Sequence, residues 1–232
     1  MKLAIMQPYL FPYIGYFQLL KAVDKFVLLD DVNYINKGWI NRNRMLMNGK
    51  DFMFTVPLID ASQNRLIMDI DVEANGKWRS KLIKTFEASY KKAPFYNDVM
   101  PLIEGVINAP FTRISEIIYK SLADIGSYLQ LTTEFIKTSS SYNINGLKGE
   151  ARIIQICKFE KASDYINLIG GKELYSQETF RREAIDLKFL RAALAPYPQF
   201  GGDFVAGLSI VDVMMFNEPS KINVMLDLYT LE

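Results

Sequence analysis

Short apolar runs separated by polar turns dominate the first part of the chain. Residues 2–6 (KLAIM) form an apolar run that ends at Gln7 and Pro8, and residues 25–30 (KFVLLD) form a second one. Between them, apolar side chains recur at helical spacing over residues 14–23. A strand, a short helix and a strand in close succession predict a βαβ unit whose two strands are parallel.

The remaining pattern alternates between strands and helices. It predicts further strands at residues 52–58, 67–72, 134–140, 164–170 and 185–190, of which the last is the final strand. It predicts helices at residues 78–93, 96–107, 111–131, 145–159, 177–184 and 208–216, of which the last closes the chain. We therefore expect an α/β fold with a mostly parallel sheet, flanking helices and a helical insert at about 77–131, in a single domain of residues 1–232.

Composition limits the possible partners. Half of the 232 residues are apolar, which favours a compact globular protein over disorder. The 27 basic and 26 acidic side chains nearly cancel, so no overall field directs the chain to nucleic acid or to an anionic membrane. No apolar run reaches the ~20 residues of a membrane span, and the N-terminus lacks the pattern of a signal peptide. We expect a cytoplasmic protein that neither binds nucleic acid nor spans a membrane.

The absence of histidine from the chain excludes several mechanisms. A Ser-His-Asp triad, a Cys-His pair and His-ligated zinc all require an imidazole. Cys157, the only cysteine, lies on the apolar side of a predicted helix, where a free cysteine packs as a small hydrophobe. Catalysis must therefore use carboxylates, Lys, Arg, Tyr, amides or the backbone, and we assign no metal-binding residues, which leaves metal dependence open. The sequence leaves the cofactor open.

Polar residues follow two neighbouring predicted strands. In an open parallel sheet, ligands bind beyond the carboxyl ends of the strands, where the strand order reverses. Gln7 and Tyr9 follow the first strand, and Asp30 and Asp31 end the second. Gly15, at the start of the following helix, permits close approach of a ligand to the backbone, and a packing role explains this glycine equally well. We predict a binding site at this edge of the sheet.

Asp30 and Asp31 are consecutive, so their side chains point in different directions at the strand end. One of them faces the cleft in this interpretation, while the other caps a turn or pairs with an arginine. Two buried like charges raise the pKa of one carboxyl, which makes it a general base near neutral pH. We predict a catalytic role for at least one aspartate, and the alternative is that both cap the loop that follows.

An amide–guanidinium cluster comes just after Trp39. It consists of Asn41, Arg42, Asn43 and Arg44. Guanidinium forks suit bidentate binding of phosphate or carboxylate, while nucleic-acid binding would need more basic charge than this chain has. We predict that the cluster binds an anionic group on a small molecule. The alternative is that one arginine only pairs with Asp30 or Asp31.

Three later polar stretches are weaker candidates for a binding site. Residues 146–153 (GLKGEARI) resemble a glycine-rich phosphate loop but lack its spacing, so a solvated connection is favoured. Residues 197–199 and 208–212 carry polar groups that suit turns and helix caps equally well.

A long motif occupies the N-terminal turn and the start of the first helix. Its pattern, Gln-Pro-aromatic-x-x-Pro-aromatic-x-Gly-aromatic-Phe, is formed by Gln7, Pro8, Tyr9, Pro12, Tyr13, Gly15, Tyr16 and Phe17. The match continues through Asp24, Asp30–Val32, Asn41–Arg44, Tyr165, Tyr175, Phe180, Gln199 and residues 208–212. Over nearly its whole length, the chain resembles the WbqC-like protein family of bacteria. Many relatives carry a histidine where this chain has Met6, so a role for that histidine is absent or taken over here.

The resemblance implies a transferase of surface-polysaccharide (O-antigen) biosynthesis that acylates or aminoacylates an amino sugar. Its implied partners are a sugar or nucleotide-sugar and a carrier-bound acyl donor. An aspartate would deprotonate the attacking amine, and backbone amides near the helix start would stabilise the oxyanion. The catalytic candidates are Asp30 and Asp31, and the substrate-binding candidates are Gln7, Tyr9, Gly15, Tyr16, Asn41, Arg42 and Arg44.

Two alternatives remain open at this point. The first is a non-catalytic accessory protein that binds a sugar or nucleotide-sugar, because aromatic side chains in the N-terminal turn suit stacking against a sugar ring. The second is a nucleotidylyltransferase-like enzyme, which rests on an analogy of fold alone.

Overall fold

Ten strands and eight α-helices occur in the computed structural model, which describes residues 1–144 and 146–232. The strands are β1 (Lys2–Met6), β2 (Lys25–Leu28), β3 (Arg42–Met47), β4 (Lys50–Thr55), β5 (Leu58–Ile59), β6 (Asp71–Val72), β7 (Glu134–Ile136), β8 (Asp164–Leu168), β9 (Asp186–Ala192) and β10 (Tyr229–Leu231). The helices are α1 (Ile14–Ala22), α2 (Lys77–Tyr90), α3 (Tyr96–Ile107), α4 (Ile114–Tyr128), α5 (Gly149–Phe159), α6 (Gln177–Arg182), α7 (Ile210–Phe216) and α8 (Pro219–Leu226). Short 3₁₀ turns occur between these elements, at Ile67–Asp69, Ser139–Tyr142 and Ile169–Leu174.

Six of the strands form the central sheet, in the order β10-β9-β8-β1-β2-β7. β1 pairs in parallel with β2 on one side and with β8 on the other. β7 and β9 extend the sheet in parallel, and β10 adds an antiparallel edge. Numbered along the chain, these strands follow the 3-2-1-4-5-6 order of doubly wound folds, and the order reverses between β1 and β8. The predicted βαβ unit and the mostly parallel sheet are confirmed.

Both faces of the sheet are covered by buried side chains. In β1, Leu3 and Ile5 pack with the α5 and α6 side of the sheet, while Ala4 packs with the α1 side. β2 alternates in the same way, with Val27 on the first face and Phe26 on the second. This two-sided burial explains why these strands have continuous apolar runs instead of alternating ones.

The long connection from β2 to β7 is mixed in structure. It contains α2, α3 and α4 within the predicted helical segment, but also the antiparallel pairs β3–β4 and β5–β6. The connection is therefore not a purely helical insert. Within the described residues, no helix combines the length and apolar character needed to cross a bilayer.

Two predicted strands of this connection were wrong in part. The strand at 52–58 is β4, which lies outside the central sheet and pairs with β3. The strand predicted at 67–72 is instead a 3₁₀ turn at Ile67–Asp69 followed by the short β6, and Ile67 and Ile70 are both fully buried. The spacing of these two isoleucines is that of a helical turn, which was mistaken for strand alternation.

β3 was not predicted because polar residues hide its alternation. Asn43 and Met45 are buried, while Arg42 and Arg44 on the opposite face are partly exposed. A strand whose buried positions include an asparagine lacks the apolar signature on which a period-2 assignment depends.

The end of the chain was also predicted incompletely. α8 and β10 follow α7, so neither the predicted last strand nor the predicted last helix is the final one. Two of the three side chains of β10 are exposed, so it carries little apolar pattern.

The helix predicted at 145–159 begins at Gly149, and Asn145 lies outside the described residues. Cys157 is buried in the core, as expected, and burial raises the pKa of its thiol to about 12.

A buried amide ties α1 to the C-terminal part of the chain. The side chain of Gln18 is fully buried, and its Nε2 lies 3.0, 2.9 and 3.0 Å from the carbonyl oxygens of Ala193, Met225 and Leu228. Ala193 follows β9, Met225 lies in the last turn of α8, and Leu228 precedes β10. The Gln18 amide therefore fixes the helix that follows β1 to the edge of the sheet.

We expect Gln18→Met to lower the free energy of unfolding by about 1–3 kcal/mol, because buried carbonyls lose their donor while the volume is kept. Urea unfolding followed by circular dichroism measures this change. Gln63→Met, at an exposed loop position, is the matched control and should be neutral. Equal stability of the two variants would show that the Gln18 amide does not hold these elements together.

Candidate functional site

A crevice opens where the strand order reverses, beyond the carboxyl ends of β1 and β8. Its volume is about 430 Å³. Its lining includes Gln7, Tyr9, Tyr13, Asn167, Gly170 and Tyr175, and we call it the switch-point crevice. This is the place at which doubly wound sheets bind ligands. Of the predicted site residues, the structure brings Gln7 and Tyr9 to this crevice.

The β1 side of the crevice rests on a buried tyrosine. Tyr16 is fully buried and donates a hydrogen bond from its hydroxyl to the carbonyl oxygen of Gln7 at 2.9 Å. Its ring packs against that of Tyr9, with 5.8 Å between the centroids. Burial raises the pKa of Tyr9, so this hydroxyl is a donor at neutral pH. Tyr16 thus holds Gln7 and Tyr9, two residues that line the crevice, in place.

Gly15 makes room for another aromatic wall. A Cβ at Gly15 would lie 2.4 Å from the ring of Tyr13, the residue at the N-cap position of α1, which also lines the crevice. The structure thus accounts for Gly15 through the packing of Tyr13. Tyr13 belongs to the N-terminal motif but was not among the predicted binding residues.

The β8 side of the crevice combines an amide with two glycines. Asn167 accepts a hydrogen bond from the backbone N–H of Leu168 at 2.7 Å, which fixes its carboxamide. A Cβ at Gly171 would lie 2.8 Å from Asn167 Nδ2, so this glycine leaves room for the amide. A Cβ at Gly170 would meet no atom within 4 Å, and its φ lies outside the left-handed region. Neither packing nor backbone conformation requires a glycine at Gly170, and this position leaves the crevice wall open.

Tyr175 closes the β8 side. Its ring packs edge-on against Tyr165 at 5.8 Å and against Phe180 at 5.9 Å. Asn167 and Tyr175 are far in sequence from the N-terminal motif, and the chemistry of the sequence did not single them out as site residues. Asn167 lies in the middle of the strand predicted at 164–170, so its position near the carboxyl end of β8 could not be predicted.

A smaller cavity of about 260 Å³ adjoins the crevice. The two share Tyr9 and Tyr13, and the smaller one is closed by Arg44, Trp39 and Gly207. We call it the Arg44 cavity. The Arg44 guanidinium lies 5.7 Å from the Trp39 ring centroid and donates to the carbonyl oxygen of Gly207 at 3.2 Å.

Arg44 keeps binding capacity despite these contacts. Its side chain is 35% exposed, and the nearest carboxylate oxygen, from Asp51, is 3.5 Å away. Its Nε is buried and has no hydrogen-bond partner within the described residues. The guanidinium can therefore bind an anionic group that enters the Arg44 cavity.

The other members of the amide–guanidinium cluster act as scaffold. Asn41 donates to the carbonyl oxygen of Val56 at 2.7 Å and accepts from the hydroxyl of Tyr34 at 2.9 Å. Arg42 donates from Nε to the carbonyl oxygen of Gly38 at 2.8 Å. The predicted cluster is therefore divided, and its members Asn43 and Arg44 line the cavity beside the crevice. The Asn43 amide already donates to the carbonyl oxygens of Leu10 and Phe11, at 3.2 and 2.8 Å.

The segment opposite Arg44 is held by a buried carboxylate. Asp212 accepts hydrogen bonds from the hydroxyls of Tyr90 and Tyr197 at 2.8 and 2.6 Å, and from Gln199 Nε2 at 2.8 Å. Burial raises the pKa of Asp212, and these three donors oppose the shift. The polar groups at 197–199 and 208–212 thus form a structural network that places Gly207 against Arg44.

Asp30 and Asp31 connect the end of β2 to the turn after β7. Asp30 is 3% exposed, and its Oδ1 accepts from Thr138 Oγ1 at 2.6 Å and from the Ser139 N–H at 3.2 Å. Burial raises the pKa of Asp30, and these hydrogen bonds oppose the shift. Asp31 pairs with Arg152 and accepts from Ser139 Oγ.

The aspartates are separated from the other candidates. Asp31 lines a different cavity of about 520 Å³, together with Lys148 and Arg152. In the described part of the chain, neither Asp30 nor Asp31 is part of the lining of the switch-point crevice or the Arg44 cavity. The arginine that pairs with Asp31 is Arg152 of α5, whereas Arg44 of the cluster at 41–44 lies near Asp51 instead.

Comparison with known proteins places these features in a family. A family model described as the WbqC-like protein family matches residues 7–224, which include both sides of the crevice. Uncharacterized protein Rv1507c of Mycobacterium tuberculosis (strain ATCC 25618 / H37Rv) is 26% identical over 219 residues, which cover 93% of each chain. No solved structure matches the chain significantly.

Asparagine substitutions at the two neighbouring aspartates should affect stability differently. Asp31→Asn removes one partner of an ion pair whose side chains are only 12% and 13% exposed, so it should cost about 3 kcal/mol of unfolding free energy. Asp30→Asn removes a buried charge and keeps an oxygen that accepts from Thr138 and Ser139, so stability at pH 7 should be unchanged or higher. Urea unfolding of both variants gives the two values.

The effect of Asp30 should depend on pH. Because its folded pKa lies above the unfolded one, ionised Asp30 disfavours the folded state, and this penalty disappears as the pH falls through the folded pKa. Any stability advantage of Asp30→Asn over the wild type should therefore shrink between about pH 7 and pH 4. An Asp30→Asn variant as unstable as Asp31→Asn at pH 7 would contradict this account.

Proposed function

The chain belongs to the WbqC-like protein family, and on that premise we propose that it is a transferase that binds a sugar or nucleotide-sugar in the switch-point crevice. The observation that carries the proposal is the lining of this crevice by amide and aromatic side chains at the strand-order reversal of a doubly wound sheet.

The chemistry of the lining supports a sugar-containing ligand. The amides of Gln7 and Asn167 each offer a donor and an acceptor, as the hydroxyls of a sugar require. Tyr9 and Tyr13 add ring surfaces that pack against a sugar or a nucleobase. The open surface at Gly170 permits close approach of the ligand to the backbone.

The Arg44 cavity supports an anionic group next to that ligand. It shares Tyr9 and Tyr13 with the crevice, so a ligand seated in one lies beside a group in the other. A guanidinium there suits a phosphate or a carboxylate. The phosphates of a nucleotide-sugar fit this arrangement, and so does an anionic acyl donor.

In this proposal an acyl or aminoacyl group passes to the amine of an amino sugar, as a step of bacterial surface-polysaccharide biosynthesis. The amine nitrogen forms a bond to the acyl carbon, the carrier leaves, and a base takes the amine proton. Asp30 and Asp31 remain the candidate bases. They come directly after Leu29, which lines the crevice, so a ligand extending past Leu29 would approach the end of β2.

A non-catalytic sugar-binding protein is the second candidate. It is favoured by the separation between the crevice and the two carboxylates, because a pure binding site needs no base. The two candidates share the ligand class and differ in turnover.

The binding part is tested by thermal unfolding against nucleotides, nucleotide-sugars, amino acids and coenzyme A thioesters. A ligand at about 100 times its Kd should add about 2.7 kcal/mol to stability and raise Tm. Asn167→Leu and Arg44→Ala should each reduce the shift, measured against the Tm of the same variant without ligand. Asn64→Leu, at an exposed loop position, is the matched control and should keep the full shift. A shift that all variants retain would place the ligand elsewhere.

Turnover separates the two candidates. The protein is incubated with a coenzyme A thioester and a nucleotide-linked amino sugar, and mass spectrometry follows acylated sugar and free thiol. A transferase should give both products, and Asp30→Asn or Asp31→Asn should lower their rate at least a hundredfold if that residue is the base, with the thermal shift retained. A thermal shift without product supports the binding protein.

A further inference from the structure

A second concave surface lies between β4 and α2. It consists of a cavity of about 540 Å³ and an adjoining one of about 460 Å³, which share Lys77, Lys81 and Thr85. Phe54, Trp78 and Leu82 are buried and line the larger cavity. We call this surface the β4–α2 groove.

The strand side of the groove exposes large apolar side chains. Phe52 is 43% exposed and Met53 is 41% exposed, and both line the groove. β4 pairs with β3 on one edge, and no strand in the described part of the chain pairs with its other edge. Adjacent exposed apolar side chains on an open edge strand are typical of a surface that meets a partner.

The helix side of the groove is basic. Lys77, Lys81 and Lys84 recur along one face of α2, are exposed, and line the two cavities. None of the three is ion-paired within the described ranges. Glu73 is the acidic residue that lines the groove, and Asn75 donates to its carboxylate.

The β3–β4 hairpin adds to this charge. Met47 lines the smaller cavity and pairs with Lys50 across the hairpin, and Lys50 is exposed. The overall charge of the chain is only +1, because acidic residues elsewhere balance these lysines. The positive charge at the groove is therefore local.

We propose that the β4–α2 groove and its rim dock the protein on an anionic lipid surface. The lysines contact lipid phosphates while Phe52 and Met53 enter the interfacial region, the combination of basic and apolar groups that holds peripheral proteins on membranes. Charge complementarity selects this partner over a neutral surface. The inference goes beyond the proposed function and does not depend on it.

Vesicle sedimentation tests the docking. The protein should bind vesicles of equal phosphatidylcholine and phosphatidylglycerol, should not bind vesicles of phosphatidylcholine alone, and should be released by 0.5 M salt. Lys81→Glu combined with Lys84→Glu should weaken binding at least tenfold, and Phe52→Ser should weaken it without removing the dependence on anionic lipid. Circular dichroism checks that each variant is folded.

Lys91→Glu combined with Lys92→Glu is the charge-matched control, because both lysines are exposed just after the end of α2. It should retain most of the binding. An equal loss in this control, or no binding to the anionic vesicles at low salt, overturns the proposal. Binding to polyglutamate but not to vesicles also overturns it and identifies an acidic protein as the partner. Asn167→Leu should leave vesicle binding unchanged, so failure of the crevice proposal and failure of the docking proposal give different results.

Discussion

The burial of β1 at the centre of the sheet determines where the crevice and its supporting residues lie. This strand has parallel neighbours on both sides and covered faces, with Ala4 packed toward one layer of helices and Leu3 and Ile5 toward the other. Because its neighbours flank it and both its faces are covered, β1 reaches solvent at its carboxyl end, beside the residues that line the crevice. The chain continues from β1 to β2 in one direction and returns to β8 in the other, and the gap between these paths is the switch-point crevice.

The crevice is held open by residues that do not themselves line it. Tyr16 lies beneath Gln7 and Tyr9, and Gly15 lets the Tyr13 ring lie over the start of α1. Near the Arg44 cavity, the Asp212 carboxylate accepts hydrogen bonds from two tyrosines and a glutamine. In the same segment, Ser209 donates its N–H to the Arg44 carbonyl oxygen at 2.8 Å. Several polar residues that look functional in the sequence act in this way, as supports for the site.

The sequence predicts best where one physical signal dominates. The apolar runs at β1 and β2, punctuated by proline and followed by helical spacing, predicted the βαβ unit and the strand-end position of Gln7. β3 was missed because Asn43 occupies a buried position, and β10 because little of it is buried. Local patterns cannot show that Asp31 pairs with Arg152, or that Asn167 and Gln7 line the same crevice, because strand order and crossover direction determine both.

The ¹³C-methyl spectrum of the methionines reports whether a ligand enters the switch-point crevice. Met6 lines this crevice, whereas Met53 lies on the β4–α2 groove. Both signals can be assigned by methionine-to-leucine substitution. During titration with the nucleotide-sugar that raises Tm, the Met6 methyl signal should move until the protein is saturated, while the Met53 signal stays in place. If the protein is saturated and the Met6 methyl signal has not moved, the ligand binds outside the switch-point crevice.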